Sequence, residues 1–162
     1  IGDYDKNAKV NPPLRGEADR AAVIAGLADG TLDCIATDHA PHHADEKNVE
    51  FDLAANGISG FESAFTLCHT ALVASGALTL PALIEKMSLA PARILSTQLG
   101  TLSPGAAADI VVLDPGASCV IDPDTFYSKG KNSPFRGYAG KGRVVHTLLG
   151  GRFVVRDGAL AV

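Results

Sequence analysis

A short apolar run at Leu32, Cys34, Ile35 and Ala36 breaks off at Asp38 into His39-Ala40-Pro41-His42-His43, and that break limits the folds open to this chain. Pro41 has no backbone donor and cannot extend a hydrogen-bonded ladder, so the run reads as a buried strand with Asp38 at its C-terminal end. Just upstream, Ala21, Ile24, Leu27 and Ala28 recur at helical spacing between Glu17 and Asp29, acids open the segment, and Gly30 suits a C-terminal cap. Earlier still, Lys9-Val10-Asn11-Pro12-Pro13-Leu14-Arg15 excludes a helix and reads as an extended segment leaving a strand. Strand end, helix and strand end in this order make a βαβ-like unit, whose successive loops open on one rim of a parallel sheet. The fold class is therefore α/β, and in parallel α/β folds ligands bind at that rim.

Beyond the rim motif the chain changes character at Gly100. Before it, Phe61, Phe65, Cys68, Leu72 and Val73 mark one face of a helix that Gly76 ends. Thr79 suits the cap of a second helix, with Pro81 in its first turn and Leu83, Ile84 and Met87 facing inward, and a third helical stretch follows Pro91 through Leu95. The polar segment from Ala44 to Gly60, punctuated by Asn56-Gly57, reads as a long loop placed to act as a lid. After Gly100 the chain reads as all β: Ala108 to Asp114, Cys119 to Ile121, Val144 to Leu149 and Arg152 to Val155 are β-branched runs between Gly, Pro and Asp. Gly150-Gly151 is a two-residue hairpin signal and Asp157-Gly158 marks a further turn, while Phe126 to Arg143 reads as a solvated loop.

Charge and composition exclude several classes of function. With a net charge of -4 over 162 residues and both signs interspersed, the chain has no basic footprint for nucleic acid and no polybasic face for a membrane. No apolar run is long enough to span a bilayer, and the start does not resemble a signal peptide. Cys34, Cys68 and Cys119 are odd in number and lie in apolar surroundings, as reduced thiols of a cytoplasmic protein do. The chain opens at Ile1 without a methionine, which is the pattern of a fragment of a longer protein.

The chemistry-bearing residues cluster around Asp38. An acid followed by a histidine at the next position and another four positions on is not a standard zinc spacing, and both a metal ligand and a simple hydrogen-bonded pair remain open readings. A carboxylate at a strand's end can bind a metal through one oxygen and move a proton with the other, as metal-assisted hydrolysis requires. His42, past a proline, is placed to donate to an anionic ligand, and His39 to orient a carboxylate or backbone group. His43 reads as solvent-exposed, and His69 and His146 as structural. Asn11 lies at the neighbouring rim, where its amide can pair with a planar amide ligand or tie down its own turn. Asn56-Gly57 is either a plain turn or a pair of unhindered backbone groups for a ligand.

Taken together, Lys9 to Arg15, Ala36 to His42, Leu102-Ser103-Pro104-Gly105-Ala106-Ala107-Ala108-Asp109 and Asn132-Ser133-Pro134-Phe135 resemble the bacterial class I dihydroorotases of the amidohydrolase superfamily. The first motif is shared in looser form with allantoinases and dihydropyrimidinases, and the second points more specifically to dihydroorotase. The resemblance implies a (β/α)8 TIM-type barrel with zinc at its C-terminal rim and a small β-sandwich. Residues 1–97 would be the last strands and helices of the barrel, and 98–162 the sandwich. By motif position Asp38 matches the aspartate that ligates zinc and acts as catalytic acid and base, and His42 the histidine that holds the substrate's carboxylate. Asn11 matches the substrate-binding asparagine, and Asn56 and Gly57 align with the loop pair that meets the pyrimidine ring, although position 56 is more often aromatic in that family. The implied reaction is the reversible cyclisation of N-carbamoyl-L-aspartate to dihydroorotate in pyrimidine synthesis. The implied cofactor is one or two zinc ions, held mostly by residues outside this chain, so that the chain alone neither binds zinc tightly nor turns over. Its partners would be the missing N-terminal part of the same enzyme and a small-molecule substrate, with a second copy or an aspartate transcarbamoylase as further candidates. An allantoinase or dihydropyrimidinase, or a non-catalytic dihydroorotase-like subunit of a transcarbamoylase complex, are the alternatives.

Overall fold

A computed structural model of the chain describes residues 4–161, so the opening Ile1 lies outside it. The chain forms two compact units that interleave in sequence. One takes the residues up to Ala22, Thr37–Ala64 and Val120–Gly140; the other takes Val23–Ala36, Phe65–Cys119 and the residues from Lys141 onward.

Helix α1 spans Glu17–Asp29, as its apolar spacing predicts. Glu17 and Asp19 sit in its first turn against the positive end of the helix dipole, and Gly30 leaves it with a φ of +86° that a Cβ would disfavour. Leu27 from this helix joins Phe65, Leu72 and Leu83 in the apolar core of the second unit, with Ile24, Ile35, Cys68, Met87 and Leu113 packed around them. Phe65 comes from α3 (Ala64–Cys68), which runs on as a π-helical turn at His69–Val73. Thr79 caps α4 (Leu80–Ile84) by accepting the Ala82 N–H at 3.3 Å.

The sequence predicts two separate helices around Pro81 and Pro91, but α4 continues through a π-helical segment, Glu85–Leu89, directly into α5 (Ala90–Ile94). The wide turn stands immediately before Pro91, where a helix has to accept a residue with no N–H to give.

Four strands, β1 (Ile110–Val120), β2 (Ala139–Leu149), β3 (Arg152–Arg156) and β4 (Ala159–Leu160), form one sheet in that order. Strand β3 is antiparallel to both β2 and β4. Its two connections are the turns legible in sequence. Gly150 and Gly151 have φ of +56° and +80°, and Asp157 and Gly158 +51° and +78°, the signature of type I′ hairpins. Two expected runs merge in β1, because the Asp114 carboxylate accepts the N–H groups of Gly116 and Ala117, each at 3.0 Å, and carries the strand past Pro115.

Three expectations need correction. Leu32 to Ala36 forms no ladder: among the described residues no strand lies alongside it, and its ties are the Leu32 N–H to the Gly26 carbonyl at 2.8 Å, the Ile35 N–H to the Lys86 carbonyl at 2.9 Å and Lys86 Nζ to the Leu32 carbonyl at 2.7 Å. The segment from Ala44 to Gly60 is not an open loop, since it holds the short helix α2 (Ala44–Lys47) and buries Lys47, Ala54, Gly57 and Ser59. Its polar composition misleads because the buried polar groups are paired with backbone. Phe126 to Arg143 is not merely solvated either, for Asn132 and Ser133 are buried and β2 begins at Ala139. The three cysteines form no disulfide and are half-buried, and burial pushes the Cys68 thiol up. No described helix is long and apolar enough to cross a membrane.

Candidate functional site

All five residues singled out from sequence, Asn11, Asp38, His42, Asn56 and Gly57, fall within the first unit. Asp38 is exposed and has a φ of +46°, in the left-handed region that an aspartate tolerates better than most side chains. Backbone held in such a region marks positions where surrounding structure imposes a conformation, and these gather at functional sites. No hydrogen bond or ion pair with another described residue engages its carboxylate, which is therefore available to a ligand or a proton.

What holds Asp38 is the bridge on its C-terminal side. His39 pairs with Ile58 in a parallel bridge, and the Ala40 N–H donates to the Ile58 carbonyl at 3.0 Å. The His39 ring lies flat on Phe61, centroids 3.8 Å apart, and its Nδ1 accepts the N–H groups of Gly60 at 3.0 Å and Phe61 at 3.3 Å. That leaves the ring proton on Nε2. His39 is thus a backbone partner, as its sequence position implies.

His42 is half-buried and has both ring nitrogens engaged: Nε2 lies 3.0 Å from the Asn56 carbonyl and Nδ1 3.2 Å from Glu46 Oε2. Both partners are acceptors, so only the doubly protonated ring makes both bonds, and that cation suits an anionic ligand. Glu46 also accepts the His43 N–H at 3.0 Å while His43 Nδ1 accepts the Asp45 N–H, a reciprocal cap that starts α2. The His43 N–H and the His42 ring hold the Glu46 carboxyl below the usual range. His43, exposed as expected, is a helix cap.

Gly57 is packed against this histidine. A Cβ there would meet Ala40 Cβ at 2.6 Å, the Ala40 carbonyl at 2.9 Å and His42 Nε2 at 3.0 Å, and its φ of +147° disfavours a side chain as well. The Gly57 N–H donates to the Lys9 carbonyl at 3.0 Å, two positions before the exposed Asn11. The Gly57 carbonyl accepts from Asn132 Nδ2 at 3.0 Å and Lys47 Nζ at 3.2 Å. Its polar backbone is spent within the chain, whereas Asn56 beside it is exposed.

Two residues of this site, Lys47 and Asn132, are not among the site candidates read from sequence, although Asn132 opens the Asn132–Phe135 motif quoted for the resemblance. Lys47 is 4 % exposed and donates to the carbonyls of Ala55 and Gly57; burial pushes its pKa down, and Lys9 nearby adds to the effect. Asn132 is tied to residues far away in sequence. A cleft of about 500 Å³, lined by Pro41, His42, Lys47, Lys129, Lys131 and Asn132 among others, opens on the His42 side, and Asp38 does not line it.

Among the described residues no three His, Cys, Asp or Glu side chains are placed to hold a metal ion. One exposed carboxylate falls short of the four donors that zinc takes, so the described residues around Asp38 do not by themselves make up such a centre.

The chain belongs to the amidohydrolase family, whose model matches residues 6–154. Within that family it is 54% identical over 158 residues to the dihydroorotase of Acetivibrio thermocellus, covering 98% of this chain and 37% of that protein. It is also 54% identical over 157 residues to the dihydroorotase of Syntrophus aciditrophicus, covering 97% of this chain and 37% of that protein. The chain therefore spans little more than a third of the curated relatives it matches. Solved structures share its fold. L-hydantoinase (dihydropyrimidinase) from Arthrobacter aurescens superposes with a TM-score of 0.90 at 31% identity, covering 99% of this chain and 38% of that one. Dihydropyrimidinase from Brevibacillus agri gives 0.89 at 26% identity, covering 96% and 35%. The fold is accordingly that of part of a TIM-barrel-type amidohydrolase.

Proposed function

We propose that the chain is the C-terminal part of a cytoplasmic dihydroorotase, the enzyme that reversibly cyclises N-carbamoyl-L-aspartate to dihydroorotate in de novo pyrimidine synthesis. Residues 1–97 complete the barrel and 98–162 form the sandwich, with 120–140 as an excursion toward the substrate loops. The observation that carries this reading is Asp38, an unengaged carboxylate in left-handed backbone, four positions before a histidine whose ring faces two acceptors. Identity of 54% to dihydroorotases supports that substrate over the rings named for the hydantoinases. Side chains such as Leu95, Leu102 and Val120, 73%, 79% and 64% exposed, support burial by further chain in the complete enzyme.

In the hydrolytic direction a water oxygen bonds to the ring amide carbon and the carbon–nitrogen bond breaks. Asp38 takes the proton from the attacking water and delivers it to the departing nitrogen, and cyclisation moves the same proton back. His42, its two ring nitrogens held by Asn56 and Glu46, attracts the ligand's carboxylate through the charge of the doubly protonated ring, and Asn11 pairs with the ring amide from the neighbouring loop. Asp38 would be this chain's contribution to a zinc ion held mainly by residues elsewhere in the enzyme, and such an ion would supply Lewis-acid polarisation of the carbonyl.

The test is turnover of dihydroorotate, allantoin and dihydrouracil by the full-length enzyme and by its Asp38→Ala variant. Dihydroorotate is the expected substrate, with loss of about 10²-fold or more in the variant. Equal turnover by both proteins ends the assignment, and preference for allantoin or dihydrouracil moves it to a related cyclic amidase.

A further inference from the structure

Asn132 lies outside the segments that carry the acid and the histidine, yet it is buried, 5% exposed, and its side chain binds both substrate loops. Its Oδ1 accepts the His42 backbone N–H at 2.9 Å and lies 3.0 Å from the Ser59 hydroxyl, whose one proton it shares with the Gly130 carbonyl. Its Nδ2 donates to the carbonyls of Ala40 and Gly57, each at 3.0 Å. A primary amide has two N–H donors and a carbonyl oxygen with two lone pairs, so the side chain is fully used, with nothing left for a ligand. Alanine at this position would strand the Ala40 carbonyl and the His42 N–H in a place water does not easily reach, and leave the Gly57 carbonyl with Lys47 alone.

The surroundings hold the amide in turn. The Gly130 carbonyl, at 2.7 Å, is the nearer of the two acceptors that face the Ser59 hydroxyl, and the Ser59 N–H donates to the Asn132 carbonyl at 2.9 Å. A Cβ on Gly130 would lie 2.7 Å from each of His42 N, Pro41 Cβ and Asn132 Oδ1, so the loop passes there only as glycine. Apart from this amide, the 40–42 and 56–59 segments are joined by the Ala40–Ile58 bond and by the contact of the His42 ring with the Asn56 carbonyl.

We propose that Asn132 is a positioning residue: it fixes the backbone of His42 against Gly57 and so sets the affinity for a cyclic amide bearing a carboxylate, without taking part in the proton transfer at Asp38. This rests on the reading of His42 as the carboxylate anchor. Asn132 touches neither the acid nor the ring, so its removal acts on binding more than on the chemical step.

The experiment is steady-state kinetics on the full-length, metal-loaded enzyme with dihydroorotate, alongside metal content, for Asn132→Ala, the isosteric Asn132→Asp and His42→Ala. Asp keeps the acceptor toward His42 and Ser59 but sets oxygen against the Ala40 and Gly57 carbonyls. Both Asn132 variants are expected to raise KM by about tenfold or more, the equivalent of losing a net buried hydrogen bond or more, with kcat within about threefold and metal content unchanged. An unchanged KM overturns the proposal. So does a joint fall of kcat, KM performance and metal content in both variants, which marks a merely structural residue. Where Asn132→Ala fails to fold, Asn132→Asp decides. A His42→Ala enzyme with wild-type KM would instead show that the anchor reading itself is wrong.

Discussion

Oε1 of Glu62 accepts both the backbone N–H and the hydroxyl of Ser128, at 2.8 and 2.7 Å, while its Oε2 is buried with no hydrogen-bond partner among the described residues. Burial pushes this carboxyl up, but the two donors of Ser128, with the Glu62 N–H and the nearby His39, together hold the group below the usual range. A carboxyl depressed on folding contributes stability above its unfolded value and loses it as pH falls through its folded value. Glu62→Gln is therefore expected to unfold at lower urea than the wild type at neutral pH, with the gap closing as pH drops below the ordinary value of 4.5. Urea midpoints measured from pH 7 downward check this, and a gap that stays constant would show that Ser128 does not favour the ionised form.

Gly57→Ala puts a methyl group into space occupied by Ala40 and His42, in backbone that disfavours any side chain. Overpacking and strain of this kind cost about 1–3 kcal/mol. Chemical denaturation is expected to show that loss, with a raised KM for dihydroorotate because the His42 ring must move. A variant matching wild type in both would mean the loop yields without cost.

Leu83 is fully buried in the core of the second unit, against Leu27, Phe65 and Leu72. Leu83→Ala leaves a cavity there and is expected to cost about 2–5 kcal/mol. Leu102→Ala, at a side chain 79% exposed in the chain described, serves as the comparison. In the full-length enzyme its cost reports whether further chain covers that position.

Zinc bound to the 162-residue chain after dialysis is expected to fall well below one ion per chain, since one exposed carboxylate is the ligand it offers. Metal analysis of the chain and of the full-length enzyme side by side checks this. Stoichiometric zinc on the chain alone would reveal donors that the arrangement around Asp38 does not contain.

Local chemistry was legible where it decides local structure. The spacing in α1, the glycine that ends it, the Thr79 cap and the two type I′ turns each follow from a few neighbouring residues, and each stands where the residues place it. Long-range pairing was not legible. The run before Asp38 has the composition of a strand, but a ladder needs an adjacent strand, and none lies beside it among the described residues. Pro91 reads as a boundary because a π-helical turn leaves no clear pattern in the apolar positions. At the site, Asp38 and His42 could be picked out as an acid and a histidine beside a proline. Asn132 stands out as the first residue of a motif and not as a site residue, because its four partner atoms sit on loops far off in the chain and an asparagine in a polar segment reads first as a turn.

The amide of Asn132 also bears on how the protein can be cut. A truncation before Val120, which on composition would trim only a β-rich tail, removes the donor that two inner carbonyls depend on. Loop transplants among relatives face the same restriction: residues 40–57 moved alone would arrive without their anchor, so the two segments have to be engineered as a pair.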